Sequence, residues 1–255
     1  MNKNNIVQSL LGKDMNNKKS RTPARLDFLQ STTGLILAIF ITFHILFESS
    51  ILLGKDTMYA LSKIFEGEFL IEGGSPLFIS ALALFIFSLF IFHAFLAIRK
   101  FPSSYREYQR FRTHAKLMNH KDTNLWFIQI TTGFMLFFLG SIHLYTMLTQ
   151  PQNIGPFASS DRVYSDIFWP LYLMLLITVV LHAGIGVYRL IIKWGWFDGK
   201  NPKENRIKTR KFLKTITAIY LILGILSLLT YMKIGYDHRN NYGERYIITE
   251  VSHAN

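Results

Sequence analysis

The chain has 255 residues, half of them apolar, with 28 Lys and Arg against 16 Asp and Glu, a formal net charge of +12 and no cysteine. Without cysteine it can form no disulfide, thiolate-held iron–sulfur cluster or cysteine nucleophile. The apolar residues are gathered into long blocks between charged stretches, the pattern of an integral membrane protein rather than a soluble domain.

Residues 1–27 are polar and carry no apolar run of signal-peptide type, so no cleavage is expected. Five apolar blocks follow, at approximately 28–53, 76–98, 125–148, 167–192 and 212–231. Each is long enough to cross a hydrocarbon layer of about 30 Å, which takes roughly 20 helical residues. Pro170 falls in the first turn of the fourth block, where a missing backbone donor is tolerated. The expected fold is therefore all-α: one domain, a bundle of five transmembrane helices, with residues 232–255 as an outer tail.

Charge gives the orientation. Basic residues number six before Asp27, seven from Arg99 to Lys121 and nine from Arg189 to Lys214, which is 22 of the 28. The opposite side holds Lys55, Lys63, Arg162, Lys233, Arg239 and Arg245 and most of the acids. The positive-inside rule then places the N-terminus in the cytoplasm and the C-terminus outside, at the periplasmic face of a bacterial inner membrane. The positive charge is a topology signal. A nucleic-acid partner is not expected, because it would need a soluble basic face for which the spans leave little room.

Gln30, Thr32, Thr33, Gly34 and His44 recur 99 residues later as Gln129, Thr131, Thr132, Gly133 and His143. A weaker echo pairs His93-Ala94 and Arg99 with His182-Ala183 and Arg189. The first four spans read as a duplicated helical hairpin, with the fifth added.

Four of the eight histidines, His44, His93, His143 and His182, lie inside the first four spans, one in each. Ionisable groups in a bilayer are costly and mark function. A single one would ordinarily be a neutral imidazole bonded between helices; one per helix points to ligation. At about 1.5 Å per residue, His44 and His143 fall roughly 24 and 27 Å from the cytoplasmic side, and His93 and His182 roughly 8 and 15 Å from it. Two opposed imidazoles at one depth are what a six-coordinate haem requires, so two depths imply two stacked b-type haems between the first four helices. Zinc or copper would want three or four ligands converging at one depth. Gly34 and Gly133 sit near the level of the inner pair, where a missing side chain serves either a macrocycle or close helix packing. His114, His120, His238 and His253 lie in the loop and tail, where a solvated role is the default. Nucleotide, phosphate and zinc-protease motifs are absent, so chemistry on a soluble substrate belongs to another subunit.

With these histidines go the strings His93-Ala94-Phe95-Leu96-Ala97, Arg99-Lys100-Phe101-Pro102, Phe138-Leu139-Gly140-Ser141, His143-Leu144-Tyr145, Gln150-Pro151-Gln152 and Lys193-Trp194-Gly195-Trp196-Phe197-Asp198-Gly199. On them the chain resembles the dihaem cytochrome b anchors of succinate:quinone oxidoreductases, and more narrowly those of epsilonproteobacterial menaquinol:fumarate reductases. The resemblance implies a partnership with an iron–sulfur subunit and a flavoprotein subunit, admits a dimer of that heterotrimer, and implies menaquinol as the quinone substrate. It implies ligation of the inner haem by His93 and His182 and of the outer haem by His44 and His143. It assigns Gln30, Ser31, Trp126 and Lys193 to haem propionates, and it selects Glu66, over Glu68 and Glu72, as the acceptor of quinol protons.

Two residues depart from the family. Val180 stands where its fumarate reductases have a glutamate assigned to proton return. Glu48 stands one turn beyond His44, where the family is apolar, and is either an interfacial carboxylate or a second catalytic acid. The alternatives are a menaquinone-reducing succinate dehydrogenase anchor, running in reverse, and a haem-free transporter whose histidines relay protons.

Overall fold

The computed structural model describes residues 21–100, 104–118 and 121–248. Among the described residues every regular element is helical and there is no strand. The helices are α1 (Thr22–Ser49), α2 (Lys55–Phe65), α3 (Pro76–Ile98), α4 (Tyr105–Met118), α5 (Lys121–Thr149), α6 (Pro156–Tyr164), α7 (Trp169–Trp194) and α8 (Pro202–His238), with short 3-10 turns at Ser50–Leu53 and Arg239–Asn241. Five of them, α1, α3, α5, α7 and α8, are long and apolar enough to cross a membrane. The chain is a multi-pass membrane protein.

Local chemistry sets the helix ends. Proline opens α1, α3, α6, α7 and α8, where its lost N–H would have had no intrahelical acceptor. At the other end of α7, Gly195 takes a left-handed conformation (φ 66°), and the amide of Trp196 turns back to Ile191 O at 3.0 Å. That closure stops the helix just after Lys193 and Trp194.

Around the bundle α1 packs on α3, α3 on α5, α5 on α7, and α7 back on α1, while α8 covers α7 and α1. Successive spans run in opposite directions, so one end of the bundle, here the basic end, gathers the starts of α1, α5 and α8 and the ends of α3 and α7. The other, the far end, carries α2 and α6. Along the spans large side chains face outward, among them Phe43, Phe85 and Phe134. Such a surface is stable only against lipid.

The tightest apolar core lies at the far end, where Ile51, Met58, Val163 and Tyr231 pack with Phe47, Tyr172 and Leu228. The two connecting segments are structured as α2 and α6, which the apolar blocks do not announce. Helix α6 lies against α8 because Gly235 offers no Cβ, and one there would collide with the backbone of Ser160. The fifth helix also overruns its apolar block, beginning ten residues earlier and ending at His238.

His238 departs from the expected solvated role. It is buried, with Nδ1 donating to Asp161 Oδ1 at 2.9 Å and its ring stacked on Phe157 at 4.1 Å. The other Asp161 oxygen accepts from the amide of Gly243 at 3.0 Å. Tyr246 bonds to Asp56, which raises its hydroxyl pKa to about 12. The described part of the tail is thus tied to both short helices. His114 falls in α4, and His120 and His253 lie outside the described residues.

Asp161→Ala strands the buried His238 donor, at a cost of about 1–3 kcal/mol, and is expected to lower the melting temperature of the detergent-solubilised protein. Asp237→Ala, which removes only the exposed pair with Lys233, should leave it within error.

Candidate functional site

The four intramembrane histidines meet in two pairs inside the α1–α3–α5–α7 ring. At the far end His44 and His143 face each other with ring centroids 5.9 Å apart and planes tilted by 47°. Nearer the basic end, His93 and His182 lie within electrostatic reach of one another. Imidazole–metal bonds are about 2.0 Å long, so two rings on opposite sides of one metal atom have centroids about 6 Å apart. The far-end pair stands at that separation.

The inner pair's tautomers follow from its neighbours. His182 Nδ1 lies 2.9 Å from Gln129 O, a carbonyl that can only accept, so Nδ1 carries the proton. Thr33 Oγ1 donates to Leu29 O at 2.8 Å, leaving a lone pair for His93 Nδ1 at 3.0 Å. Thr132 repeats this, donating to Ile128 O at 2.8 Å and standing 3.4 Å from His182 Nδ1. With Nδ1 protonated, Nε2 presents its lone pair, the state in which histidine binds a metal. Neither Nε2 makes a hydrogen bond among the described residues. In the far-end pair His143 Nδ1 is buried without a partner.

The two glycines serve this arrangement directly. A Cβ on Gly34 would sit 2.9 Å from His93 Cε1, and one on Gly133 would sit 2.8 Å from His182 Cε1. Each glycine lets the imidazole of the next span lie against its helix. Of the residues repeated at an offset of 99, Gln30 and Gln129, Thr33 and Thr132, and Gly34 and Gly133 are those that seat and polarise the inner histidines.

The remaining expected residues are placed as follows. Lys193 Nζ donates to Ser31 Oγ at 3.0 Å, bringing the ends of α7 and α1 together. Gln30 is half-buried, with Oε1 lacking a partner among the described residues. Trp126 is half-buried near the start of α5, with its ring edge-on to Phe127. Glu66 is 7% exposed and closes α2, whereas Glu68 and Glu72 are exposed. Its carboxylate accepts from Lys63 Nζ at 2.7 Å, and that bond holds the Lys63 ammonium above the usual lysine range. Gly74, at φ +73°, leaves space for the Glu66 side chain. Phe65, the preceding residue, packs edge-on against Phe47 at 4.7 Å, and Phe47 reaches the His44 ring.

Glu48 is half-buried, within electrostatic reach of Tyr172 and the buried Tyr231. Arg162, which the sequence offers only as a stray cation on the acidic side, is 6% exposed. Its guanidinium binds Asn153 O and meets Tyr172, whose ring stands edge-on to His143 at 5.6 Å. Val180 is buried in α7. Among the described residues no three His, Asp or Glu converge as a metal cluster, so the ligand geometry is one of pairs.

Residues 105–230 match the family model described as succinate dehydrogenase/fumarate reductase transmembrane subunit. The fumarate reductase cytochrome b subunit of Wolinella succinogenes is 51% identical over 237 residues, covering 93% of both chains. The chain belongs to the family of fumarate reductase cytochrome b subunits. Within the same family, the subunit of that name from Helicobacter pylori strain J99 is 46% identical over 241 residues, covering 94% of this chain and 93% of its own. The five spans and the histidine pairs described above belong to a membrane anchor of this family.

Gly133→Ala pushes a methyl group into the His182 ring and is expected to cost about 1–3 kcal/mol, read as a lower melting temperature. Gly140→Ala, whose Cβ would meet Phe90 at 3.4 Å, should cost far less.

Proposed function

We propose that this chain is the dihaem anchor of a menaquinol:fumarate reductase, seated in a bacterial inner membrane with its N-terminus cytoplasmic and its C-terminus periplasmic. The observation that carries the proposal is a histidine pair at each of two depths, the outer rings 5.9 Å apart and the inner ones within electrostatic reach, each inner Nδ1 against a hydroxyl or carbonyl. His44 and His143 would hold one haem b and His93 and His182 the other. A haem b so held takes up and releases single electrons.

The protein's own groups divide the remaining tasks. At the far end, the buried Glu66 beside Lys63 receives protons from menaquinol, as quinol oxidation requires a base at the donor. Arg162 and Tyr172, buried beside His143, supply a cation and a hydroxyl suited to a carboxylate of the outer macrocycle. Glu48, facing Tyr172 and Tyr231, is a second proton-exchanging group there. At the basic end, Lys193, Ser31, Gln30 and Trp126 hold the inner macrocycle's propionates. The basic face docks an iron–sulfur subunit, which passes electrons to a flavoprotein subunit that reduces fumarate. The reverse direction, menaquinone reduction by succinate, is the second reading. It is favoured by Val180, which cannot carry protons where the resembling reductases place a glutamate.

Reduced-minus-oxidised visible spectra of the isolated complex should show two low-spin haems per chain. Replacing His93 or His182 should disturb one, and replacing His44 or His143 the other. A single haem per chain, or spectra indifferent to all four changes, rejects the proposal and leaves a proton-relaying transporter. Glu66→Gln is expected to abolish quinol oxidation while an artificial donor still drives fumarate reduction. Unimpaired quinol turnover in that variant would remove Glu66 from the role.

A further inference from the structure

At the basic end, one carboxylate gathers three cations from two helix ends. Asp27, in the second turn of α1, accepts from Arg99 Nη2 at the end of α3, with Lys100 Nζ 3.1 Å from the same oxygen. Its other oxygen lies 3.8 Å from Lys193 Nζ at the end of α7, and its backbone carbonyl accepts from that ammonium at 3.2 Å. Lys193 then reaches Ser31 Oγ at 3.0 Å, one residue past Gln30, whose backbone carbonyl faces His93. The Arg99 side chain is 11% exposed, and its Nε is a buried donor without an acceptor among the described residues.

Exposed ion pairs of this kind contribute little to stability, so their worth lies in where they fix charge. Three cations against one carboxylate leave two positive charges, the complement of the two ionised propionates of a haem. Without Asp27 the three side chains repel one another and are free to turn towards water. The unpaired Arg99 Nε shows that the cradle holds donor capacity beyond what Asp27 uses.

We propose that Asp27 is a positioning residue for the inner haem: it aligns Arg99, Lys100 and Lys193 from α3 and α7 into a cradle of net charge +2 for that group's propionates. The inference rests on the proposed inner haem between His93 and His182. Reduction adds an electron to the iron, so a nearby carboxylate disfavours it and a nearby cation favours it.

The test is a redox titration of both haems, followed by visible spectra in membranes containing the whole complex. Asp27→Asn is expected to lower the midpoint potential of the His93/His182 haem, because the aligned cations of net charge +2 disperse, and to leave that of the His44/His143 haem in place. Asp27→Glu should restore it. Lys193→Gln should lower the same potential, and the effects of Asp27→Asn and Lys193→Gln should not add, because one residue acts through the other. An unchanged or raised potential in Asp27→Asn, or equal shifts at both haems, overturns the assignment. Should Asp27→Asn fail to accumulate, a potential indifferent to Lys193→Gln overturns it as well. Absence of a haem at His93 and His182 in the unaltered chain would instead overturn the proposed function.

Discussion

A histidine inside a bilayer has two ring nitrogens and no water to satisfy either. The bundle meets this constraint by halves. For His93 and His182 a neighbouring helix supplies a threonine hydroxyl or a carbonyl to Nδ1, and Nε2 is left bare. Much else follows from that choice. The supporting helix must come close, which demands glycine at 34 and 133, and the threonine hydroxyl must already be committed to its own helix so that it accepts rather than donates. A ring held in one tautomer is a poor proton relay and a good ligand, which is why the pairs favour haem over the transporter alternative.

The same device is built twice, and the duplication explains why it is symmetric. Gln30, Thr33 and Gly34 on α1 serve His93 on α3, as Gln129, Thr132 and Gly133 on α5 serve His182 on α7. Each hairpin thus carries a histidine and its own support. Helix α8 stands outside this scheme and contributes to the far end instead, where Tyr231 and His238 join α6 and the tail. The interior is thus divided by chemistry: a repeated scaffold around the histidines, and an unrepeated polar cap above them.

Much of this was legible in the sequence because membrane spans and buried histidines are local signals. Twenty consecutive apolar residues announce a span, and a histidine within one announces itself. What stayed hidden depends on partners distant along the chain. His238 reads as a tail residue because Asp161, which buries it, lies 77 positions away. Asp27 reads as an ordinary boundary acid because Arg99 and Lys193 lie 72 and 166 positions away. The short helices α2 and α6 fall below the length at which a periodic pattern separates from chance. Glu66, Glu68 and Glu72 are equivalent in sequence, and only the turn from 66 to 75, with glycine at 73 and 74, buries the first and exposes the others.

Between the level of Asp27 and that of Glu48 the five spans contain no acidic residue, and Val180 is a sealed apolar side chain there. On the proposed reading, electrons cross that layer unaccompanied by protons. Each elementary charge then does work against, or gains it from, the membrane field, about 2.3 kcal/mol per 100 mV. On that same reading, a valine in α7 would turn the anchor into a capacitor plate: turnover in one direction would charge the membrane, and the growing voltage would oppose the next electron.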